Sequence, residues 1–473
     1  MKKTRVWWRA GTLWTVLALW ILGAAACGSL LPRDQGVQPL PRQQTAERVT
    51  VVDRNGPVSA ATEARELARV KAEGSGALME RHLGVLAAKG DTQLMRGNTA
   101  KLLIDGPRTF AAMKAAIAAA KHRLLVEFYI VEDEGVAAEV ADMLIRKAGE
   151  GVHVAFLYDA VGSLGSDRAF FDRLRDGGVA VCAFNPINPL ERPGHWGLTH
   201  RNHRKMLAAD SDVAFTGGIN LSNVYAEGSF GSGRRVRPPS DAEKRGWRDT
   251  QVEVRGPVVN ALAAEFRESW SRQGCEGTLP PAPPPQVATP GQRVIKLVAG
   301  DPDKGVNPTY TALLRAIDAS QRSIQLTMAY FAPGDQLIQA LCDAAQRGVA
   351  VSLVLPGRSD VKLVMHAARA RYAQLMEAGV QIYEMKQSVM HAKTAVIDGV
   401  FSSVGSSNLD WRSIVGNNEM DLIVLGEDFG EQMQALFKRD VAASTAIEAA
   451  QWSQRGIGQR FMERFARWIE PLL

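Results

Sequence analysis

One residue pattern occurs twice in the chain, and it limits the folds available. His203, Lys205 and Asp210 are followed by Gly217, Gly218 and Asn220; His391, Lys393 and Asp398 are followed by Gly405, Ser406 and Asn408. In both copies Lys comes two residues after His, Asp five after Lys and Asn seventeen after His. The runs MLAAD and TAVID are short, apolar and bounded by turn residues, so each copy reads as a strand. Side chains two apart on a strand share a face, which sets His and Lys roughly 6.5 Å apart and pointing the same way. Asp210 and Asp398 stand at an odd offset and turn away from that face, which fits a structural, supporting place better than direct chemistry. Asp398-Gly399 is a hairpin signal and Asp210-Ser211 a weaker one. The returning strand then brings a Gly-Asn end beside His and Lys. An imidazole, a fixed cation and an amide without nearby bulk suit a phosphoryl group: cations and donors neutralise its oxygens while an imidazole attacks in line.

The rest of the chain repeats at the same scale. LLVEFYI, HVAFLYD and VAVCAF read as buried strands, separated by helices at Phe110 to Lys121, Ala137 to Lys147 and Asp167 to Arg175. TQVEVRG and a helix from Val258 to Arg272 close that half. After the proline-rich Glu276 to Gln292 the alternation restarts with RVIKLVAG, SIQLTMAY, VAVSLVL and VQIYEM, and GVHVAFLYD matches GVAVSLVLP. The 473 residues suffice for two ordinary domains, and 46% apolar with 22% charged residues excludes a disordered chain. A net charge of 56 − 50 = +6 favours anionic partners without choosing among them. The eight His and four Cys show no zinc-ligand spacing, and no carboxylate cluster suggests a hard cation.

The duplicated motif resembles the signature of the phospholipase D superfamily, His-x-Lys-x4-Asp with a following Gly-Gly/Ser-x-Asn. GNTAKLLIDG, LLVEFYIVEDEG, GVHVAFLYDAVGS and NPLERPGHWGLTHRNHRKM are similar to segments of bacterial cardiolipin synthases. The resemblance runs from about Gly97 to the C-terminus. It implies an α/β fold of two duplicated phospholipase D-like α/β/α domains, with mixed sheets flanked by helices, sharing one interfacial active site. It implies phosphatidyl transfer between two phosphatidylglycerol molecules through a phosphohistidine, without metal or cofactor. The implied catalytic set is His203, Lys205, Asp210, His391, Lys393 and Asp398, with His203 as nucleophile and His391 as acid/base. Asn220 and Asn408 would bind phosphate with the lysines. Glu419, 28 residues after His391, is expected to orient that histidine, and Asp249 to orient His203. Hydrolytic phospholipase D and secreted nuclease activity are the rivals. No nucleic-acid partner is expected, because no aromatic-basic strand set suited to stacking bases is present. The oligomeric state is not legible.

The expected organisation is a signal peptide or lipoprotein-type anchor at 1–27, a tether and helices at 28–96, a first domain at 97–275, a linker at 276–292, a second domain at 293–450 and a C-terminal amphipathic helix at 451–473. The basic start, the apolar run Ala10 to Ala26 and AAACG place the chain in the cell envelope, with Cys27 the expected lipid anchor; an uncleaved anchor is the alternative. The remaining three Cys are expected to be buried thiols, with no disulfide framework. Asn185 to Leu198, with Trp196, fits either an apolar lip for acyl chains or a rigid connection. Ala226 to Ser240 reads as a solvated loop. At the C-terminus Ile457, Phe461, Met462, Phe465, Trp468, Ile469 and Leu472 share one helical face and Arg460, Glu463, Arg464 and Arg467 the other. That face suits a membrane surface or packing on the body.

Overall fold

A computed structural model describes residues 49–473 except 74, 88–92, 189–198, 230–245, 288, 306 and 471–472. The Ala10–Ala26 run, Cys27, the segment holding Trp196, most of the loop at 226–240 and Leu472 lie outside these residues.

Seven strands of the first half run in the spatial order Ala180–Phe184, His153–Asp159, Arg123–Phe128, Met206–Ala209, Val213–Gly217, Thr250–Arg255 and Gln93–Ile104. The second half repeats that order with Gln381–Met385, Ala350–Pro356, Ser323–Met328, Lys393–Ile397, Phe401–Gly405, Asn417–Leu425 and Arg293–Gly300. In each half the first three strands are parallel and the remainder antiparallel. The final strands of the two halves pair with each other, Arg293 opposite Asn98 and Ile295 opposite Met95, in antiparallel sense. Equivalent strands meeting antiparallel relate the halves by a pseudo-two-fold axis.

Helices cover the sheets because the central strands are apolar on both faces, as parallel strands must be. On one face Leu124, Val126 and Phe156 pack with Phe110, Met113, Ile117, Val140 and Leu144. On the other, Leu125, Leu157, Val252, Leu262 and Phe266 join Val396, Leu422, Val424 and Phe429 in one cluster. That second cluster draws on both halves, so their mutual placement is held by core packing.

The two helices before the first sheet, Ala60–Glu73 and Gly76–Leu86, reach the second half: buried His82 Nε2 lies 3.0 Å from Asp398 Oδ2. The expectation for the cysteines fails. Cys182 and Cys275 form a disulfide, and Cys342 is a buried free thiol. Cys182 sits in the strand Ala180–Phe184 and Cys275 just beyond the helix Pro257–Arg272, so folding brings together residues 93 apart in sequence. Among the described residues no helix is long and apolar enough to cross a membrane.

Candidate active site

The two His-Lys pairs meet at the junction of the halves. The strands begin at Met206 and Lys393, where the runs MLAAD and TAVID place them to within a residue, so His203, Lys205 and His391 stand just ahead of them. Those segments cross over. His203 N–H donates to Asn418 O at 2.9 Å, and Arg201–Asn202 pairs parallel with Asn417–Asn418. His391 N–H donates to Arg248 O at 2.8 Å, beside the bridge between Arg248 and Met390. Each histidine is therefore tied by its backbone to the segment of the opposite half that carries an acid.

The acids pair in the same crossed sense, which reverses the sequence expectation. Glu419 meets His203, with both carboxylate oxygens 3.0 Å from Nδ1. Asp249 meets His391, with Oδ2 at 2.7 Å from Nδ1. The reason is the pseudo-two-fold: the acid-bearing strand of each half lies nearer the other half's histidine than its own. A carboxylate that accepts the Nδ1 proton keeps the other ring nitrogen, Nε2, unprotonated in the neutral ring. Ser406 Oγ in turn donates to Glu419 Oε2 at 2.5 Å. At the matching position Gly218 leaves room for Asp249: an added Cβ would stand 2.1 Å from Asp249 Oδ1.

Both lysines are buried. Lys205 Nζ donates to His203 O; Lys393 Nζ donates to His391 O and lies 2.8 Å from His391 Nδ1 and 3.1 Å from Nε2. Burial lowers the Lys205 ammonium to about 7, against the opposing pull of Glu419, and lowers Lys393 to about 8 against Asp249. Burial likewise lowers His203 to about 4, opposed by Glu419 and reinforced by Lys205, and drives His391 well below its ordinary value with help from Lys393. Burial raises Asp249 to about 6, with Lys393 opposing. Burial also pulls Glu419 upward, but His203, Lys205 and Ser406 outweigh it and hold this carboxyl below its usual range. The site thus concentrates cation-forming groups that an arriving anion would compensate.

Asn220 and Asn408 are both buried at the site's edge. Asn220 Oδ1 accepts from Ile130 N–H at 3.1 Å, while Asn408 Oδ1 has no partner among the described residues. Asp210 and Asp398, named with the motif as catalytic, do not join the histidines. They sit past the far ends of the strands Met206–Ala209 and Lys393–Ile397, at φ of 55° and 54°. Asp210 accepts from the N–H groups of Lys121, His122 and Arg123; Asp398 accepts from those of Gln321, Arg322 and Ser323. They clamp the turns that enter the adjacent strands, as their odd offset from His required.

Aromatic walls went unread in the sequence. Tyr129 stands edge-on to His203 at 5.0 Å between centroids and 5.4 Å from Lys205 Nζ. His391 is enclosed by Tyr225, whose hydroxyl lies 3.1 Å from Nδ1, and by the rings of Trp247 and Tyr330 at 5.2 and 6.0 Å. Trp247 stands two residues before Asp249, which was the one available clue. Among the described residues no group of three His, Cys, Asp or Glu side chains is arranged for a metal ion.

Two imidazoles, each held by a carboxylate and each beside an ammonium, form a centre suited to phosphodiester exchange. Comparison with known proteins agrees. Residues 313–441 match the family described as cardiolipin synthase, PLD-like domain. The chain is 33% identical over 376 residues to a cardiolipin synthase of Geobacillus thermodenitrificans, covering 79% of this chain and 72% of that protein. It is 33% identical over 389 residues to cardiolipin synthase A of Pseudomonas syringae, covering 81% and 77%. The crystal structure of a phosphatidylserine synthase from Haemophilus influenzae superposes with a TM-score of 0.59 at 14% identity, over 79% of this chain and 95% of that one. The chain belongs to the cardiolipin synthase family of the phospholipase D superfamily, a family of phosphatidyltransferases.

Proposed function

We propose that the shared centre transfers a phosphatidyl group from one phosphatidylglycerol to the free glycerol hydroxyl of a second, yielding cardiolipin and glycerol. In the first step His203 Nε2 attacks phosphorus, the P–O bond to glycerol breaks, and His391 gives the leaving oxygen a proton. In the second, His391 takes the proton of the incoming hydroxyl, whose oxygen displaces His203. Lys205, Lys393, Asn220 and Asn408 hold the phosphoryl oxygens.

The observation that carries this reading is the crossed pairing of His203 with Glu419 and of His391 with Asp249 across two buried lysines. The same pairing supports the division of labour. Glu419, held ionised, makes the His203 ring the better nucleophile, and the more readily protonated Asp249 suits a histidine that passes a proton both ways. Labelled phosphate trapped on His391 in place of His203 reverses the assignment.

The site of action proposed is the cell envelope at a membrane surface, with Cys27 acylated. The Cys182–Cys275 disulfide supports it, since such bonds persist in oxidising compartments. Incubating the purified chain with phosphatidylglycerol and resolving the lipids tests the function. Cardiolipin with glycerol is expected; phosphatidic acid alone assigns water as acceptor and overturns the transfer.

A further inference from the structure

The C-terminal helix Ile457–Trp468 turns its apolar side away from the body. It packs on the helix Lys362–Glu377 through buried Ala466 and Glu463, the latter accepting from Arg455 Nε at 2.8 Å. Ile457 is left 86% exposed, Phe461 68% and Trp468 70%. Aromatic and aliphatic side chains open to this degree along one helical stripe mark a surface that something covers. Arg460, Arg464 and Arg467 are exposed along one flank of the stripe. They border a groove of about 560 Å³ whose walls also include Ala373, Glu377 and Trp452. Around that groove four arginines, Arg455 among them, face two glutamates, so its charge is net positive.

The helix is also tied to the active site. Ala466 packs with Ala332, Val364 and Ala367, and Tyr330 and Leu473 close the same cluster. Glu470 accepts from Gly334 N–H at 3.1 Å and from Arg371, and Arg412 N–H donates to Leu473 O at 3.2 Å. The loop from Tyr330 to Gly334 that these contacts fix is the one whose Tyr330 walls His391.

We propose that this helix is the enzyme's docking surface for an anionic lipid bilayer, its apolar stripe in the interface and its arginines against headgroup phosphates. An interfacial helix needs an apolar stripe plus flanking cations, and both are present. The proposal deepens the phosphatidyl-transfer reading and rests on it, because an anchor packed on the loop that carries Tyr330 holds the substrate's own membrane on the side of the molecule that walls His391.

The test is hydrogen exchange of the amides of residues 457–468 in the full chain carrying His203→Ala, so that lipid composition stays constant. Vesicles of phosphatidylcholine alone are compared with vesicles of phosphatidylcholine and phosphatidylglycerol. Each arginine near an anionic surface adds about fivefold to affinity, so exchange is expected to slow by at least roughly tenfold when phosphatidylglycerol is present. Phe461→Ser with Trp468→Ser abolishes the slowing; Arg460→Gln, Arg464→Gln and Arg467→Gln together remove only its dependence on phosphatidylglycerol. Equal exchange in both vesicles that neither variant alters overturns the proposal. So does protection that follows protein concentration, which assigns the stripe to a second copy of the chain. Turnover is silent in this measurement, so a chain that docks yet makes no cardiolipin fails the transfer reading alone, and one that makes cardiolipin without protection fails the docking alone.

Discussion

Glu419 holds Nδ1 of His203 with both carboxylate oxygens at 3.0 Å, although 216 residues separate them in sequence. This contact spans the two halves, and so does its counterpart between His391 and Asp249. Neither half contains a complete site.

Replacing Glu419 by Gln therefore acts on the His203 step. The amide keeps the shape but favours the wrong tautomer and no longer stabilises charge on the ring. A loss of kcat on the order of 10²- to 10⁴-fold is expected. Rapid quench should show slower phosphoenzyme formation in Glu419→Gln, whereas Asp249→Asn should slow proton transfer through His391. If Glu419→Gln leaves phosphoenzyme formation unchanged, the crossed assignment is wrong.

The lysines give the pH dependence its sign. In the free enzyme Lys205 and Lys393 lose their protons near pH 7 and 8, so kcat/KM should fall as pH rises through that range. A bound phosphodiester raises both values, which puts the alkaline limb of kcat at higher pH than that of kcat/KM. Stability moves oppositely. A lysine lowered from 10.5 is least at ease in the fold below its folded pKa, so its contribution to stability improves as pH rises from about 7 toward 10.5. Parallel pH profiles of kcat/KM and Tm check both signs.

Gly218 is constrained by Asp249. A methyl group there would meet Oδ1 at 2.1 Å and push the carboxylate off His391. Gly218→Ala should cost about 1–3 kcal/mol and most of the activity. Gly84, inside the helix Gly76–Leu86 with nothing within 4 Å of an added Cβ, is the control. Gly84→Ala should stabilise by about 0.5–1 kcal/mol. Denaturant titration of both variants distinguishes steric conflict from a general effect of glycine replacement.

How much of this was legible follows from what each feature depends on. The histidines and lysines were readable because their chemistry demands those side chains at that spacing, twice. The strands RVIKLVAG and HVAFLYD were readable because buried parallel or central strands are short apolar runs. Which acid meets which histidine was not, since Glu419 lies close to His391 in sequence and the pseudo-two-fold sends it elsewhere. Tyr225 and Tyr330 carried no spacing signal, because the aromatic walls of the two histidines do not repeat between halves. Cys182 and Cys275 failed for another reason: their approach across 93 residues is a product of how the helix Pro257–Arg272 packs on the sheet.

The disulfide should contribute to stability by restricting the unfolded chain. Closing a loop of 93 residues is worth about 4–5 kcal/mol on the chain-entropy account. Calorimetry with and without reductant should show a lower Tm on reduction, and Cys182→Ser with Cys275→Ser should remove the response to reductant. Equal Tm values in both conditions would contradict a stabilising bridge.

Asp210 and Asp398 separate structure from chemistry. Each carboxylate accepts three backbone N–H groups at a turn, and Asp398 also meets His82 from the N-terminal helices. Burial raises Asp398, yet His82 and the N–H groups of Arg322, Ser323 and Gln321 prevail and lower it. A depressed carboxyl contributes stability above its unfolded pKa of 3.8 and loses it as pH falls through the lower folded value. Asp398→Asn should thus lower stability at neutral pH by about 1.5–3 kcal/mol, the scale of a hydrogen bond to a charged group, and flatten the acid limb of the stability curve. Because neither aspartate reaches the imidazoles, folded Asp210→Asn and Asp398→Asn protein should keep phosphoenzyme formation within a few-fold of the parent, in contrast to Glu419→Gln. A collapse of that step at full fold would return these residues to the chemistry. Retention of the step with a lowered Tm assigns them to the turns that bring each His-Lys edge to the interface.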